Sequence, residues 1–323
     1  MAGVARSAAD WISGGAYPSD YNSGGSIGYI PEIWAGKLIE NYYKTSTVAA
    51  ITSTDYEGLI KSFGDNVNIR STPSITISEY KIGDPLTYQV AGTNLVELSI
   101  DKARSWALAC DDIDKYQSDL NLMQIFTAAA AEDLRVAVDA VVLVGLLNGA
   151  AATNRGLTAG AISGNIDLGV TVTPEAITEA TVIEFILRMG QALDENNAPE
   201  NGRFLVIPAA MAALLKDSDL KQVQITGDGT SPIRNGKIGM IDRFTVYNSN
   251  SLPTGVAGGL AAGEHAIYAG VPSATAFAAQ IVKNETLPNP DSFGELMRGL
   301  QVFGYKVVKP EGLCQGIVTL AHT

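Results

Sequence analysis

The sequence is short of the residues on which most catalytic and metal chemistry depends. It has two histidines and two cysteines in 323 residues. His265 lies beside a Gly-rich loop and His322 is the penultimate residue, so neither has a His or Cys neighbour at metal-ligand spacing. There is no H-E-x-x-H, no C-x-x-C and no G-x-x-x-x-G-K-[ST] phosphate loop. No catalytic residue, cofactor or metal site is therefore assigned. Cys110 and Cys314 stand far apart in apolar surroundings, which predicts two reduced, buried thiols and no disulfide framework. The acids of Asp111-Asp112-Ile113-Asp114 lack the rest of a cation-loop ligand set and read as a helix start, where negative charge suits the macrodipole.

Basic charge is also scarce. Lys and Arg total 22 against 34 Asp and Glu, a net charge of −12, which argues against a surface that grips phosphate backbones. No apolar run reaches the ~20 residues of a membrane span. The most apolar window, Val136 to Leu147, is interrupted by Asp139. The first fifteen residues lack the apolar core of a signal peptide. The expectation is a soluble protein made in the cytoplasm, with no membrane partner. An apolar content of 46% and a mean hydropathy of +0.12 exclude wholesale disorder, and the length allows about two domains.

Residues 1–46 are rich in aromatics, with Trp11, Tyr17, Tyr21, Tyr29, Trp34, Tyr42 and Tyr43 among Gly pairs. They show no sustained period before Pro31, so they read as an arm lying on another surface, ending in a short helix that begins near Pro31. Val67 and Ile69, then Ile75 and Ile77, alternate with polar residues, and so do Val96, Leu98 and Ile100. Two strands follow, joined by an excursion through Pro73, Gly83, Asp84-Pro85 and Gly92 that is far longer than a ~2–5-residue hairpin loop. A long ribbon of this kind is marginal alone and needs a surface to lie on.

A helix is expected from about Lys115 to Asn148, some thirty residues or about 45 Å. Its apolar stripe is read as Met123, Phe126, Ala130, Leu134, Ala137, Val141 and Val144, with Gln124, Glu132, Arg135 and Asp139 on the solvent face. Its last two turns, apolar all round, are expected to be buried. The Gly/Ala/Ser-rich stretch from Gly156 to Val172 reads as a hinge. Thr173-Pro174-Glu175 predicts a helix start, with the helix running through Ile183, Leu187 and Leu193 to Asn196-Asn197. Phe204 to Ile207 reads as a buried strand stopped by Pro208, and Ala209 to Lys216 as a helix, giving an α/β layer.

From Ile233 to Tyr305 the order of features is distinctive. Ile238, Met240, Phe244 and Val246 have strand spacing about the Ile241-Asp242-Arg243 step, within G-x-I-G-x-I-x-x-F-x-V-Y-x-S-N-x-L-P. A small-residue segment follows and ends at Ala279-Gln280. Then comes F-G-x-x-x-x-G-x-x-x-x-G-Y-K-V-x-x-P-E, from Phe293 to Glu311. This ordered set resembles the C-terminal half of tailed double-stranded DNA bacteriophage major capsid proteins, a fold shared with encapsulins.

The resemblance implies an α+β fold with an N-terminal arm over residues 1–46, an extended hairpin or E-loop over 60–105 and a peripheral domain over 47–59, 106–152 and 269–304. That domain carries the spine helix at about 115–148; an axial α/β domain takes 153–268 and 305–323. It implies a virion coat protein, not an enzyme, that assembles with itself as hexamers and pentamers. The shell encloses DNA without sequence-specific binding and has a scaffolding protein, a portal and, in some relatives, a decoration protein as partners. An encapsulin-like compartment, or a hydrolase with an unrecognised site, remain the alternatives. Some relatives cross-link a ribbon Lys to an Asn beside a Glu. Lys61, Lys81, Asn284, Glu285 and Asn289 supply the ingredients, but Lys81 sits in a polar context and not in an apolar pocket, so no cross-link is expected.

Overall fold

The computed structural model describes residues 44, 46–56, 66–70, 75–79, 81–83, 88–90, 92, 95–111, 122–156, 158–164, 166–218, 239–290 and 293–320. The arm at 1–43 and the first residues of the expected long helix, 115–121, lie outside them.

Six strands form the central mixed sheet: β4 (Glu175–Ile177), β5 (Arg203–Ile207), β6 (Met240–Ile241), β7 (Phe244–Asn248), β8 (Glu264–Gly270) and β11 (Leu313–Leu320). Their order is β4-β11-β8-β5-β7-β6, with β4/β11 and β5/β7 parallel and the other pairs antiparallel. The sheet is buried on both faces because its strands are apolar at successive positions, not only at alternate ones. Leu205, Ile207, Ile267, Ala269, Cys314 and Val318 face one core. Phe204, Val206, Ala266, Tyr268, Leu313 and Ile317 face the other.

The first core is closed by α3 (Val182–Glu195) and α4 (Ala209–Asp217). Val182, Phe185, Ile186, Met189, Ala192 and Leu193 recur at three- and four-residue steps and are all buried. The expected helix start at Thr173-Pro174-Glu175 is incorrect. Glu175 to Ile177 instead pair in parallel with Val318 to Leu320, filling the open edge of β11, and α3 begins after Thr181. Nor is the stretch from Gly156 to Val172 an unstructured hinge. Backbone bridges join Gly156 to Gly169 and Ala159 to Ile166, and Ala159, Ile166 and Leu168 are buried in the first core.

The second core is closed by the C-terminal half of α2 (Leu122–Gly145) and by the four-residue α1 (Val48–Ile51). At 24 residues α2 is about 36 Å long. It stops at Gly145, three residues before the expected end, and Asn148 takes the left-handed conformation at φ 63°. The Tyr305 ring closes on Gly145, where a Cβ would lie 1.6 Å from its hydroxyl oxygen, so a larger residue there would displace that ring.

The buried face of α2 differs from the expected stripe. Val138, Asp139, Val142, Leu143 and Leu146 are buried, whereas Val144 is 42% exposed and Leu134, Ala137 and Val141 are half-buried. Asp139, assigned above to the solvent face, is 1% exposed.

The third layer is a three-stranded antiparallel sheet in the order β3-β10-β9: β3 (Lys102–Asp111), β9 (Thr275–Pro288) and β10 (Gly294–Val307). Asp111 closes β3 and does not begin a helix. A two-stranded ribbon, β1 (Asn66–Arg70) with β2 (Leu95–Ser99), stands on this sheet. Ile69 and Leu98 pack with Ala276, Ala278 and Val302.

Candidate assembly surfaces

Reactive groups are few and enclosed. Among the described residues no three His, Cys, Asp or Glu side chains group as a metal site. His265 lies in β8, where burial depresses its pKa and its Nδ1 has no hydrogen-bond partner. Cys110 and Cys314 are buried as expected, and burial pushes the Cys314 thiol far up. His322, Asp112 and Asp114 lie outside the described residues.

The ribbon exposes a group of large apolar side chains. Its base is fixed by the Ile69 and Leu98 cluster and by close backbone approach: a Cβ at Gly304 would lie 2.2 Å from the Ser99 carbonyl oxygen. The described ladder runs from Asn66↔Ser99 to Arg70↔Leu95. Residues 75–79 carry no strand pairing, contrary to the strand expected through Ile75 and Ile77. In place of backbone bonds, the Gln89 side chain accepts from the Thr76 N–H at 3.1 Å and donates to the Thr76 carbonyl at 3.0 Å. Ile75, Ile77, Ile82, Tyr88 and Val90 are 76%, 93%, 99%, 89% and 98% exposed. Five large apolar groups in water, beside a backbone that the Gln89 amide holds, make a surface that the single chain leaves uncovered.

The three-stranded β3-β10-β9 sheet, or arm sheet, has one covered face and one open one. Met297, Phe303 and Tyr305 turn towards α2, where the Thr127 hydroxyl donates to the Met297 sulfur at 3.5 Å and Phe277 and Phe303 pack with ring centroids 6.4 Å apart. On the other face Glu285 is paired with Lys283 at 2.7 Å and with Arg298. Its pKa is lowered, first by the Lys283 hydrogen bond and then by Arg298. Asn284 is exposed, and the Asn289 N–H donates to the Gly294 carbonyl at 2.9 Å in the β9–β10 turn. Lys81 is exposed in the ribbon, and Lys61 lies outside the described residues.

Polar ties lock the helix block to the sheet. The Tyr268 hydroxyl donates to the Leu143 carbonyl at 2.9 Å, and the Gln315 carboxamide oxygen accepts from the Asn148 N–H at 2.6 Å. Asn154 donates to the Glu311 and Leu313 carbonyls at 2.8 and 3.0 Å. Asp242 and Arg243 both have positive φ, at 42° and 66°, in the two-residue turn between β6 and β7. Arg243 leaves that turn to reach Asp194 at 2.7 Å and Glu200 at 3.4 Å, while the buried Arg203 holds the other Asp194 oxygen at 2.7 Å. Desolvation opposes the ionised Asp194, but these two guanidinium groups together bring its pKa below the usual value.

No curated protein matches the sequence. A family model described as phage capsid protein matches residues 96–316. A chain in a solved structure of Mycobacterium phage Che8 is 27% identical, with a TM-score of 0.73 over 89% of this chain and 97% of that one. The capsid structure of cyanophage P-SCSP1u, at 15% identity, gives 0.69 over 95% and 99%. The capsid of a native GTA particle, at 12% identity, gives 0.63 over 94% and 100%. The last two likenesses bear on the fold alone. The family match runs from the second ribbon strand through the arm sheet, the long helix and nearly all of the central sheet, and the chain belongs to the phage capsid protein family.

Proposed function

We propose that this structural coat protein of a tailed phage tiles a closed icosahedral head, in hexamers and pentamers, around double-stranded DNA. The carrying observation is the ribbon tip, whose five large apolar side chains lie almost wholly in water in the single chain. Burying each against a neighbouring subunit contributes about 1.5–3 kcal/mol. In this reading residues 1–46 form an arm and 60–105 the ribbon. The peripheral domain takes 47–59, 106–152 and 269–304, and the axial domain 153–268 and 305–323. The role is structural, with no catalytic residue or cofactor. The net charge of −12 fits a container that holds its genome without gripping it.

The partners proposed are other copies of the chain, a scaffolding protein and a portal at one vertex, with assembly in the cytoplasm of the bacterial host. Sizing a lysate in which chain and scaffold are made together tests the reading. Closed megadalton particles are expected, and a chain that stays a small oligomer beside its scaffold overturns it.

A further inference from the structure

We infer that Asp139 is a positioning residue for assembly: it fixes the start of the segment 46–53 against the long helix. The inference rests on the shell reading for its consequence, and on three contacts for its geometry. Asp139 is 1% exposed, on the sheet-facing side of α2. Its Oδ1 accepts from the Ser46 hydroxyl at 3.0 Å, the Thr47 N–H at 2.9 Å and the Val48 N–H at 2.8 Å. Nothing in the packing calls for a carboxylate among Val138, Val142 and Leu143, and burying one is costly unless its hydrogen bonds compensate. Those bonds all go to one short segment.

Residues 46–53 make a strap. At its start the carboxylate takes up N–H groups that a helix end leaves without partners. α1, four residues long, is too short to hold its own geometry and relies on Asp139 and on the buried Val48 and Ile51. At the far end the Ser53 N–H donates to the Thr275 carbonyl, and the Ser53 carbonyl accepts from the Phe277 N–H, both at 2.9 Å. The strap thus ties the long helix to the outer edge of β9. The chain before residue 46 departs from one end of it, and the ribbon, from Asn66 onward, follows the other. Removing the carboxylate frees the first end while Ser53 still holds the second, so the start of the strap shifts and the core stays packed.

The test uses the full chain with Asp139→Ala, Asp139→Asn and Ser46→Ala. Amide exchange is read in the unassembled subunit, and the yield and diameter of closed particles are read after production with the scaffold. For Asp139→Ala the expectation is exchange at the Thr47 and Val48 amides faster by about tenfold or more. Protection in β5, β8 and β11 stays unchanged, and particles are fewer or of irregular diameter. Asp139→Asn keeps an acceptor oxygen and recovers most of both losses, and Ser46→Ala, which removes one bond, falls near the parent. Three results overturn the inference: strap exchange as slow as in the parent, normal particles from a variant with a loosened strap, or sheet protection lost in both Asp139 variants. A parent chain that forms no particles sinks the shell reading instead, and leaves the exchange comparison standing.

Discussion

Leu134 and Leu143 are nine residues apart on α2, yet only Leu143 is fully buried, wedged between the helix and the central sheet with its carbonyl held by Tyr268. Leu143→Ala is expected to cost about 2–5 kcal/mol in denaturant unfolding of the unassembled subunit, and Leu134→Ala less than half of that. Equal losses would show that the helix is seated on another face. The stripe was misread for a physical reason. From Val136 to Leu147 every residue but Asp139 and Gly145 is apolar, so the sequence carries no phase there, and an isolated acid suggests the solvent side. Only the donors at Ser46, Thr47 and Val48, some ninety residues away, account for a buried Asp139. His265 gives a pH prediction at the same scale. Burial places its folded-state pKa below the ordinary 6.5, so the unfolded chain takes up the proton first. Its contribution to stability is full above about pH 6.5 and is lost as the pH falls through that value towards the depressed one. His265→Gln should flatten the stability profile between pH 7 and 5, and an identical slope in parent and variant would refute the assignment.

At the scale of elements, strands with strong alternation were legible and those defined by a partner were not. β2 and β5 stand close to where the pattern puts them, because β-branched and aromatic residues alternate or run continuously there. β4 was hidden because Thr173-Pro174-Glu175 is a good local helix start, and the parallel edge of β11, over 140 residues later, outweighs it. The ribbon carries the opposite lesson. Its pattern continues through Ile75 and Ile77, but the ladder to β2 covers only Asn66 to Arg70, since a two-stranded ribbon needs a surface and the single chain offers one only at the base. Deleting residues 73–92 should therefore leave the thermal unfolding of the subunit within about 1 kcal/mol of the parent, because none of the described residues there joins a buried cluster. The same deletion should abolish closed particles. A deletion chain that still closes shells of normal size would remove the ribbon from the assembly argument.

For the whole molecule, the two-core body and the exposed ribbon leave open whether subunits are joined only by packing or also by covalent bonds. Isopeptide formation needs a lysine amine without its proton in contact with an asparagine carboxamide carbon, and a carboxylate free to take a proton. Each requirement fails on the subunit's own surface. Lys81 is exposed in the ribbon, and no apolar pocket surrounds it among the described residues. Asn284 is exposed on β9, and the Asn289 backbone is bound into the β9–β10 turn by Gly294. Glu285, the nearby carboxylate, is engaged by Lys283 and Arg298, which hold its pKa down and make it a weaker proton acceptor. Lys283 meets a carboxylate and not a carboxamide. A shell of this protein is accordingly expected to come apart fully when boiled in detergent. A denaturing gel of purified particles should show one band near the 33.9 kDa of the chain. A ladder of multimers that survives boiling would mean that assembly builds, from a neighbour's side chains, the apolar pocket that one subunit lacks around Lys81, and the Asn284 and Asn289 variants would then show which amide is consumed.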